Sequence, residues 1–507
     1  MLTRIIQDTN WGTWMSRVRA RFWGLRLSLI LLGLLPFVGM EFALRMLWRP
    51  QPSNRLDPYL DCSQLSPLFE LQDGTYRTSA DRLRLFASTQ FSARKAKGTK
   101  RIFCLGGSTT QGEPYKPPTA FPAWLQLNLQ LIDPNQSWEV INCGGLSYAS
   151  YRLLPILIEI LQVEPDLVII DCGHNEFLET RELSGWKQAS AIQRNATRFA
   201  RSSRLVEFAS QLVSNRFPAK STELHRTQLK QEVDALLDDQ GGLEGYNRDD
   251  LNVESVVKSM QWNIAAMIQN CKEARVPVVL LVPTSNICDC PPFKAELSQR
   301  LDSKTKEQIE SCWTSVTQAH AERIKADSSE AIEVHELQQI ISLDPEHAAA
   351  LHWLGQFELS NGQIEMARQH LVEARDRDVC PLRAVSSMQS SVRELATNEK
   401  VWLFDVDALF QSVSNNGMVG DKWLIDHVHP RIEGHQLLGE HLAVLLIQKG
   451  WVAPMERDWK QHRTSVYRDR LNELGEEYFF HGKQRLEGLL MWTQGRARKG
   501  LKPVKPR

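Results

Sequence analysis

A serine follows two glycines in the stretch GGSTTQG, which runs from Gly106 to Gly112 and ends a short apolar segment. A serine hydroxyl becomes a useful nucleophile only when a positioned base accepts its proton, and the base needs a third group that fixes its tautomer. Near the other end of the chain, the segment DHVHP carries Asp426 and His429 three residues apart. One tight turn brings such a pair together, although a D-x-x-H pattern alone is more typical of a local loop contact. Ser108, His429 and Asp426 therefore predict a nucleophile, its base and the acid that orients the base.

Acyl transfer also needs hydrogen-bond donors at the oxyanion that develops on the substrate carbonyl. The segment CGHNEF places Asn175 directly after a predicted strand, where its side-chain amide can point into a shared crevice. The segment NCGGLS offers the backbone N–H groups of Gly144, Gly145 and Ser147 after another predicted strand. Each segment alone is an ordinary glycine-rich strand exit, and the sequence leaves open which of the three N–H groups donates.

Five short apolar segments, rich in β-branched or bulky residues, predict the strands that position these groups. They are Arg101–Leu105, Trp138–Gly145, Pro165–Gly173, Val276–Pro283 and Val401–Val406. Segments with the apolar spacing of helices lie between the first three. Continuous apolar strands that alternate with helices are typical of a parallel sheet covered by helices on both faces. Functional groups in such sheets gather at the carboxyl ends of the strands. The expected fold class is α/β, a three-layer sandwich around a five-stranded parallel sheet, with the candidate residues at the ends of its strands.

Four segments, GGST, NCGGLS, GHNE and DHVH, resemble in this order the four sequence blocks of the SGNH/GDSL hydrolase superfamily. The resemblance covers roughly residues 100–448, with two insertions. It implies a flavodoxin-like sheet and an esterase or acyltransferase that needs no metal and no cofactor. Two positions depart from the family, because Gly107 and Glu176 stand where aspartate is usual.

Carried over residue by residue, the resemblance implies that Ser108 is the nucleophile and that its own N–H contributes to the oxyanion hole. Asn175 matches the side-chain donor of the third block. Asp426 and His429 match the orienting acid and the base of the fourth. The spacing of the second block implies that Ser147 is the backbone donor, with Gly144 and Gly145 just before it.

Two further segments are candidates for lining the substrate mouth. Asn286 lies where the fourth predicted strand ends, and Arg383 lies in the segment CPLRAV. We expect both to contact substrate, and a structural role is at least equally compatible with each. Cys288 and Cys290 are close in sequence, but they lack the further ligands that a metal site requires. A disulfide from this pair to Cys380 is left open.

The composition gives no indication of a nucleic-acid partner. The 507 residues include 60 Lys and Arg and 60 Asp and Glu, so the formal net charge is zero. A basic patch that neutralises phosphates is the usual electrostatic sign of nucleic-acid binding. We therefore expect no nucleic-acid partner.

The N-terminal region predicts a membrane anchor. The segment Leu27–Leu44 contains a single acid, Glu41, and as a helix it spans about 27 Å, close to the thickness of a hydrocarbon core. Arginines concentrate before this segment, which by the positive-inside rule keeps residues 1–24 in the cytoplasm. We expect a transmembrane helix over 25–48, a juxtamembrane linker over 49–99 and a catalytic domain that is periplasmic or extracellular. The alternative is a hydrophobic helix buried in the globular domain.

Two polar, helix-prone insertions interrupt the predicted domain of residues 100–450, at 180–252 and 285–400. Residues from about 332 to 378 resemble one tetratricopeptide repeat with half of another, although a plain helical hairpin explains the spacing nearly as well. The matching positions are Leu351, Leu354, Gly355, Ala367, Leu371 and Ala374. This insertion is a candidate lid or docking surface for a protein partner. Residues 451–507 predict a helical and basic tail.

Together these features predict a membrane-anchored serine esterase that hydrolyses carboxylic esters through an acyl-serine intermediate. Its substrate is expected to be an ester or an acylated carbohydrate. One alternative is an O-acyltransferase that moves O-acetyl groups on cell-envelope polysaccharide. A second is an inactive membrane-tethered scaffold that binds partners through the repeat-like insertion. The complete set of predicted site residues favours an enzyme.

Overall fold

The computed structural model describes residues 32–44, 46–47, 60–179, 181, 183, 203–206, 208–209, 212, 227–237, 242–326, 334–456 and 458–500. The chain divides into two units, residues 1–54 with 188–224 and residues 55–187 with 225–507. The candidate site lies wholly in the larger unit.

The described part of the larger unit contains short strands and one central sheet. In chain order the strands are β1 (Leu60–Asp61), β2 (Phe69–Gln72), β3 (Thr75–Thr78), β4 (Gln90–Ser92), β5 (Thr99–Gly106), β6 (Ser137–Gly144), β7 (Leu167–Asp171), β8 (Thr227–Gln228), β9 (Val278–Val282) and β10 (Trp402–Asp405). The central sheet has the order β6-β5-β7-β9-β10, and all its neighbours are parallel. Counted along the chain within this sheet, the order is 2-1-3-4-5, so the prediction of a five-stranded parallel sheet is confirmed.

Both faces of the central sheet are buried, which explains the continuous apolar runs in its strands. Along β5, Ile102 and Cys104 join one hydrophobic core, whereas Phe103 and Leu105 join another on the opposite face. All four side chains are completely buried. Successive side chains of a strand point to opposite faces, so a strand covered on both sides is apolar over most of its length, and the buried Arg101 of β5 is paired with Glu139.

Helices cover the two faces and fill the connections between strands. They are α1 (Ser108–Gln111), α2 (Phe121–Ile132), α3 (Ser150–Ile160), α4 (Asp250–Ala274), α5 (Ser303–Ala326), α6 (Val334–Leu343), α7 (Ala348–Ser360), α8 (Ile364–Asp376), α9 (Ser386–Glu399), α10 (Val406–Val413), α11 (Ile432–Gln448) and α12 (Trp459–Gly500). Helices α3, α4 and α9 contribute to the core that contains Phe103, and α2, α10 and α11 contribute to the core that contains Ile102. The result is the three-layer arrangement that the sequence predicts.

The segment predicted as a juxtamembrane linker, 49–99, differs from that expectation in its described part. Strands β2, β3 and β4 form an antiparallel sheet over residues 69–92. Phe69 and Phe91 are buried in the same core as Phe103, and the Phe91 and Phe103 rings meet edge to face at 5.6 Å. Burial of these aromatic rings makes the segment part of the folded body.

The second predicted insertion, 285–400, is helical from α5 to α9. Helices α7 and α8 pack against each other across the stretch predicted to resemble a tetratricopeptide repeat, and α6 precedes them. This arrangement fits a helical hairpin and leaves the repeat resemblance a prediction. Helix α9 packs on α4 and on β9, so the end of this insertion belongs to the sheet layers. Most of the first insertion, 180–252, lies outside the described residues.

The smaller unit is described only in part. Residues 32–44 are helical, and the Glu41 carboxylate accepts hydrogen bonds from Ser203 Oγ and from the N–H groups of Arg204 and Leu205. Within the residues that the structure describes, no helix has both the length and the apolar character needed to cross a bilayer. The predicted anchor, 25–48, extends into residues outside that part and stays a prediction.

All nine cysteines lie in the described part of the chain and none forms a disulfide, so the bridge from Cys288 or Cys290 to Cys380 that the sequence left open is not formed. The predicted C-terminal tail is helical as far as Gly500, with a break at Gly475, where φ is +72°. Helix α12 packs against α2 through Tyr467, whose ring lies 4.6 Å from that of Trp124. Burial of Tyr467 and Trp459 attaches the beginning of this helix to the domain.

Candidate active site

Ser108 begins α1 directly after β5, at the carboxyl edge of the central sheet. Gly107 is the residue before the helix and has extended backbone angles, and Gly112 ends the helix with φ at +93°. A side chain on Gly106 would overlap Thr110, and a Cβ atom on Gly107 would lie 2.7 Å from Asn175 Nδ2. The two glycines therefore allow the strand to turn into the helix with the serine at the surface of the edge.

Three of the predicted residues form one continuous chain of hydrogen bonds. Ser108 Oγ lies 2.7 Å from His429 Nε2, and His429 Nδ1 lies 2.7 Å from Asp426 Oδ2. The second carboxylate oxygen of Asp426 accepts from the N–H groups of Val428 and His429, at 2.9 and 2.8 Å. An imidazole that carries its proton on Nδ1 donates to Asp426 and leaves Nε2 free to accept from the serine. The assignment of that tautomer follows from the hydrogen-bond pattern.

The same contacts shift the pKa values of the acid and the base in opposite directions. Burial alone raises the pKa of the Asp426 carboxyl, but the imidazoles of His429 and His427 hold it well below its ordinary value. Burial lowers the pKa of His429, and the charge and hydrogen bond of Asp426 more than reverse this, so that the pKa lies above 6.5. A charged acid beside an imidazole of raised pKa is the pairing that a general base requires.

The other imidazoles near His429 are held neutral. Burial and the neighbouring imidazoles lower the pKa of His174 to about 3, and burial lowers that of His435 to about 3. Burial also lowers the pKa of His427, whose Nδ1 lies 3.4 Å from Asp426 Oδ2. His429 is thus the imidazole of this cluster that contacts the serine and whose pKa is raised.

Asn175 and Ser147 lie at the same edge of the sheet as the serine. Asn175 Nδ2 donates to the carbonyl of Tyr148 at 3.1 Å, which fixes the amide against Gly107. Ser147 has φ at +61°, a left-handed conformation that costs a non-glycine residue about 1–2 kcal/mol. Within the part of the chain that the structure describes, the N–H groups of Ser108 and Ser147 donate to no protein acceptor.

The N–H groups of Gly144 and Gly145 are engaged elsewhere. Gly144 donates to Asn142 Oδ1 at 2.8 Å, and Gly145 donates to the carbonyl of Gly106 at 3.0 Å. A donor that is already bound to a protein oxygen is not available to a developing oxyanion. Of the three backbone candidates in this segment, the geometry therefore favours Ser147.

Asn286 and Arg383, which the sequence predicts to contact substrate, are buried in this structure and bonded to protein groups. Asn286 Nδ2 donates to Asp421 Oδ1 at 2.7 Å and to the carbonyl of Asp426 at 3.1 Å. Arg383 Nη1 donates to the carbonyls of Asn286 and Cys290. Each side chain is only 1% exposed. Both residues hold the loop that supports Asp426, so their position near the site reflects its scaffold.

Two acidic residues that the sequence prediction missed also belong to the surroundings of the serine. Asp171 is buried at the end of β7 and accepts hydrogen bonds from Thr109 Oγ1 and Thr110 Oγ1, at 2.8 and 2.9 Å. Glu113 follows the end of α1, and its charge contributes to the raised pKa of His429. The sequence does show that Asp171 ends a predicted strand and that Glu113 follows the segment with the candidate nucleophile. Their partners, however, become apparent only in three dimensions.

No family model matches the sequence, and no curated protein matches it either. Among solved structures, the fold is similar to a putative lipolytic protein of the G-D-S-L family from Desulfitobacterium hafniense, with 11% identity, a TM-score of 0.30 and coverage of 68% of this chain and 99% of that one. It is similar to a lipase/acylhydrolase from Enterococcus faecalis, with 13% identity, a TM-score of 0.31 and coverage of 70% and 99%. It is also similar to an acetylxylan esterase from Geobacillus stearothermophilus, with 12% identity, a TM-score of 0.30 and coverage of 69% and 93%. Similarities of this size carry no functional argument, so the function has to follow from the geometry of the site.

Proposed function

We propose that this protein is a serine esterase of the SGNH/GDSL type, which hydrolyses carboxylic esters through an acyl-serine intermediate. The single observation that carries the proposal is the chain of two 2.7 Å contacts from Ser108 through His429 to Asp426. Ser108 lies 321 positions before His429 in the chain, and it meets His429 and Asp426 in the order that nucleophile, base and orienting acid require. Residues that are neighbours by chance are not expected to place a carboxylate at one nitrogen of an imidazole and a serine hydroxyl at the other.

In the first half of the reaction, Ser108 Oγ attacks the ester carbonyl while His429 Nε2 accepts the serine proton. Asp426 stays ionised and stabilises the imidazolium that forms. The carbonyl oxygen becomes an oxyanion, which the N–H groups of Ser108 and Ser147 and the Asn175 amide receive. Collapse of this intermediate breaks the bond to the alcohol oxygen, and His429 returns the proton to the departing alcohol.

In the second half, water takes the place of the alcohol. His429 removes a proton from the water, whose oxygen attacks the acyl-serine carbonyl at the same oxyanion site. The second tetrahedral intermediate releases the carboxylic acid, and His429 returns a proton to Ser108 Oγ. The enzyme ends in the state in which it began, so one water is consumed for each ester.

The test uses the full chain with p-nitrophenyl acetate and a fluorophosphonate probe. We expect wild-type protein to hydrolyse the ester and to become labelled, and Ser108→Ala to lose both. The control is Ser360→Ala, which removes an exposed serine whose hydroxyl contacts only a local carbonyl. Folded wild-type protein that neither turns over nor is labelled would refute the proposal and favour a scaffold role. Labelling that survives in Ser108→Ala would refute the choice of nucleophile.

We also propose that the natural substrate is an acylated carbohydrate. An acetylated oligosaccharide and a free sugar acceptor offered together separate hydrolysis from transfer. Acetate alone indicates an esterase, whereas acetylated acceptor in excess of released acetate indicates an O-acyltransferase. This assay also decides between the two enzyme classes that share the same acyl-serine intermediate.

The membrane anchor and the location outside the cytoplasm are a further part of the proposal, and they rest on the sequence of residues 17–49. An apolar stretch with arginines before it supports an N-terminus in the cytoplasm. The measurement is fractionation of a bacterial host that expresses the full chain, followed by protease treatment of spheroplasts. Recovery of the protein in the soluble fraction, or protection of the domain from external protease, would contradict it.

A further inference from the structure

The loop that follows the nucleophile helix ties an acid to the serine. Gly112 and Glu113 both donate their N–H groups to the carbonyl of Ser108, at 2.9 and 3.1 Å. The Glu113 side chain is 12% exposed and pairs with Lys116. The loop therefore holds the Glu113 carboxylate largely shielded from water. The negative charge of this carboxylate contributes to the raised pKa of His429.

Helix α12 contacts this loop with one face. The Tyr478 hydroxyl lies 2.8 Å from Thr119 Oγ1, and Arg485 Nε donates to the carbonyl of Pro114 at 2.6 Å. Gly482 lies between them in sequence, and a Cβ atom there would overlap the Tyr115 ring. Positions spaced by three and four residues share one side of a helix, so the three contacts form a single seat for the loop.

We propose that α12 positions part of the active site: Tyr478, Gly482 and Arg485 are positioning residues that hold the loop 113–119, which carries Glu113 and whose first N–H group is bonded to the Ser108 carbonyl. The inference rests on the proposed function, since it concerns the base of that reaction. It gives the C-terminal helix a role that its distance in sequence from every other site residue conceals.

Several charged or titratable groups face His429, and they come from different elements. Asp426 and His427 share its loop, His174 follows β7, His435 belongs to α11 and Glu113 lies in the loop after α1. Among these, Glu113 is the group carried by the loop that Tyr478, Gly482 and Arg485 contact. If that loop loses its seat, Glu113 becomes more exposed and water screens its charge. The pKa of His429 then falls, and the acid limb of the kcat/KM profile moves to lower pH.

The experiment compares Gly482→Ala with Gly488→Ala in the full chain. Both changes add one methyl group to α12, but the Cβ atom at position 488 meets no atom within 4 Å. We expect the acid limb to move to lower pH in Gly482→Ala and to coincide with wild type in Gly488→Ala. Glu113→Gln should produce a shift in the same direction. In the double variant Glu113→Gln with Gly482→Ala, the second change should add nothing.

A profile of folded Gly482→Ala that coincides with wild type overturns the proposal. So does a shift that persists undiminished when Glu113 is already replaced, because α12 would then act by another route. If Gly482→Ala does not fold, Tyr478→Phe takes its place, since it removes the contact with Thr119 without changing charge. The titration of the His429 ring is also followed by NMR with labelled histidine, assigned through His429→Gln. That measurement needs no turnover, so it decides the role of α12 even if wild type hydrolyses no ester and the proposed function fails.

Discussion

A single methyl group on Gly107 should disable the oxyanion hole without disturbing the fold. The backbone angles of Gly107, φ −84° and ψ −153°, suit alanine, so the effect of the substitution comes from the new Cβ atom. That atom would lie 2.7 Å from Asn175 Nδ2, whereas ordinary contacts begin near 3.4 Å, so the amide has to retreat by about 0.7 Å. Asn175 is held by its 3.1 Å bond to the Tyr148 carbonyl, and the retreat breaks or bends that bond.

Loss of one oxyanion donor lowers kcat by about 10²- to 10³-fold in serine hydrolases. We expect Gly107→Ala to approach the lower end of this range, with KM little changed because the oxyanion exists only in the transition state. The assay is steady-state hydrolysis of p-nitrophenyl acetate, with thermal unfolding as a check on the fold. Gly245→Ala is the control, because its Cβ atom meets Leu236 at an ordinary 3.6 Å.

Gly107→Ala should lower kcat by displacing the Asn175 amide. Asn175→Ala should lower kcat by at least as much, and Gly107→Ala should have little further effect in that background. Wild-type kcat in Gly107→Ala, or two losses that simply multiply, would show that the substitution does not act through the Asn175 amide. The same contact predicts that aspartate, the usual residue of the resembled family at this position, is poorly accommodated here.

Three other predictions follow from the geometry of the site. Asp426→Asn should lower kcat by about 10³- to 10⁴-fold, because an amide favours the wrong tautomer of His429; a loss below tenfold would argue against this role. The kcat/KM profile of wild type should lose activity as pH falls through a pKa above 6.5, since protonated His429 cannot accept the serine proton, and Asp426→Asn should move that limb to lower pH. Asp171→Ala should reduce the free energy of unfolding by about 2 kcal/mol, because it leaves the Thr109 and Thr110 hydroxyls without their acceptor; an unchanged urea midpoint would contradict the assigned contacts.

The sequence predicted those features that depend on the residue types within one short segment. Five apolar runs bounded by turn residues predicted the sheet, because a strand buried on both faces is apolar at most positions. Ser108 and Asn175 could be selected because parallel strands bring their carboxyl ends to one edge, whereas Asp426 and His429 were selected from their three-residue spacing and the resemblance to the fourth family block. The structure brings these four residues together at that edge.

Other features depended on contacts between distant segments. The residues themselves left open which of Gly144, Gly145 and Ser147 donates to the oxyanion, and in the structure the Asn142 side chain and the Gly106 carbonyl occupy the N–H groups of the two glycines. Whether an amide is free is decided by what packs against it. Residue type does not reveal this.

The same limit applies to the polar and charged residues. Asn286 and Arg383 have the chemistry of ligand-binding residues, and their burial turns them into braces of the loop that carries Asp426. Glu113 gains its influence on His429 from a loop seated on α12, more than 350 positions further along the chain. The sequence by itself determined the sheet and the residues at its edge. Only the tertiary structure decided which donors stay free and which acids reach the base, because both depend on atoms that the chain brings together only when it folds.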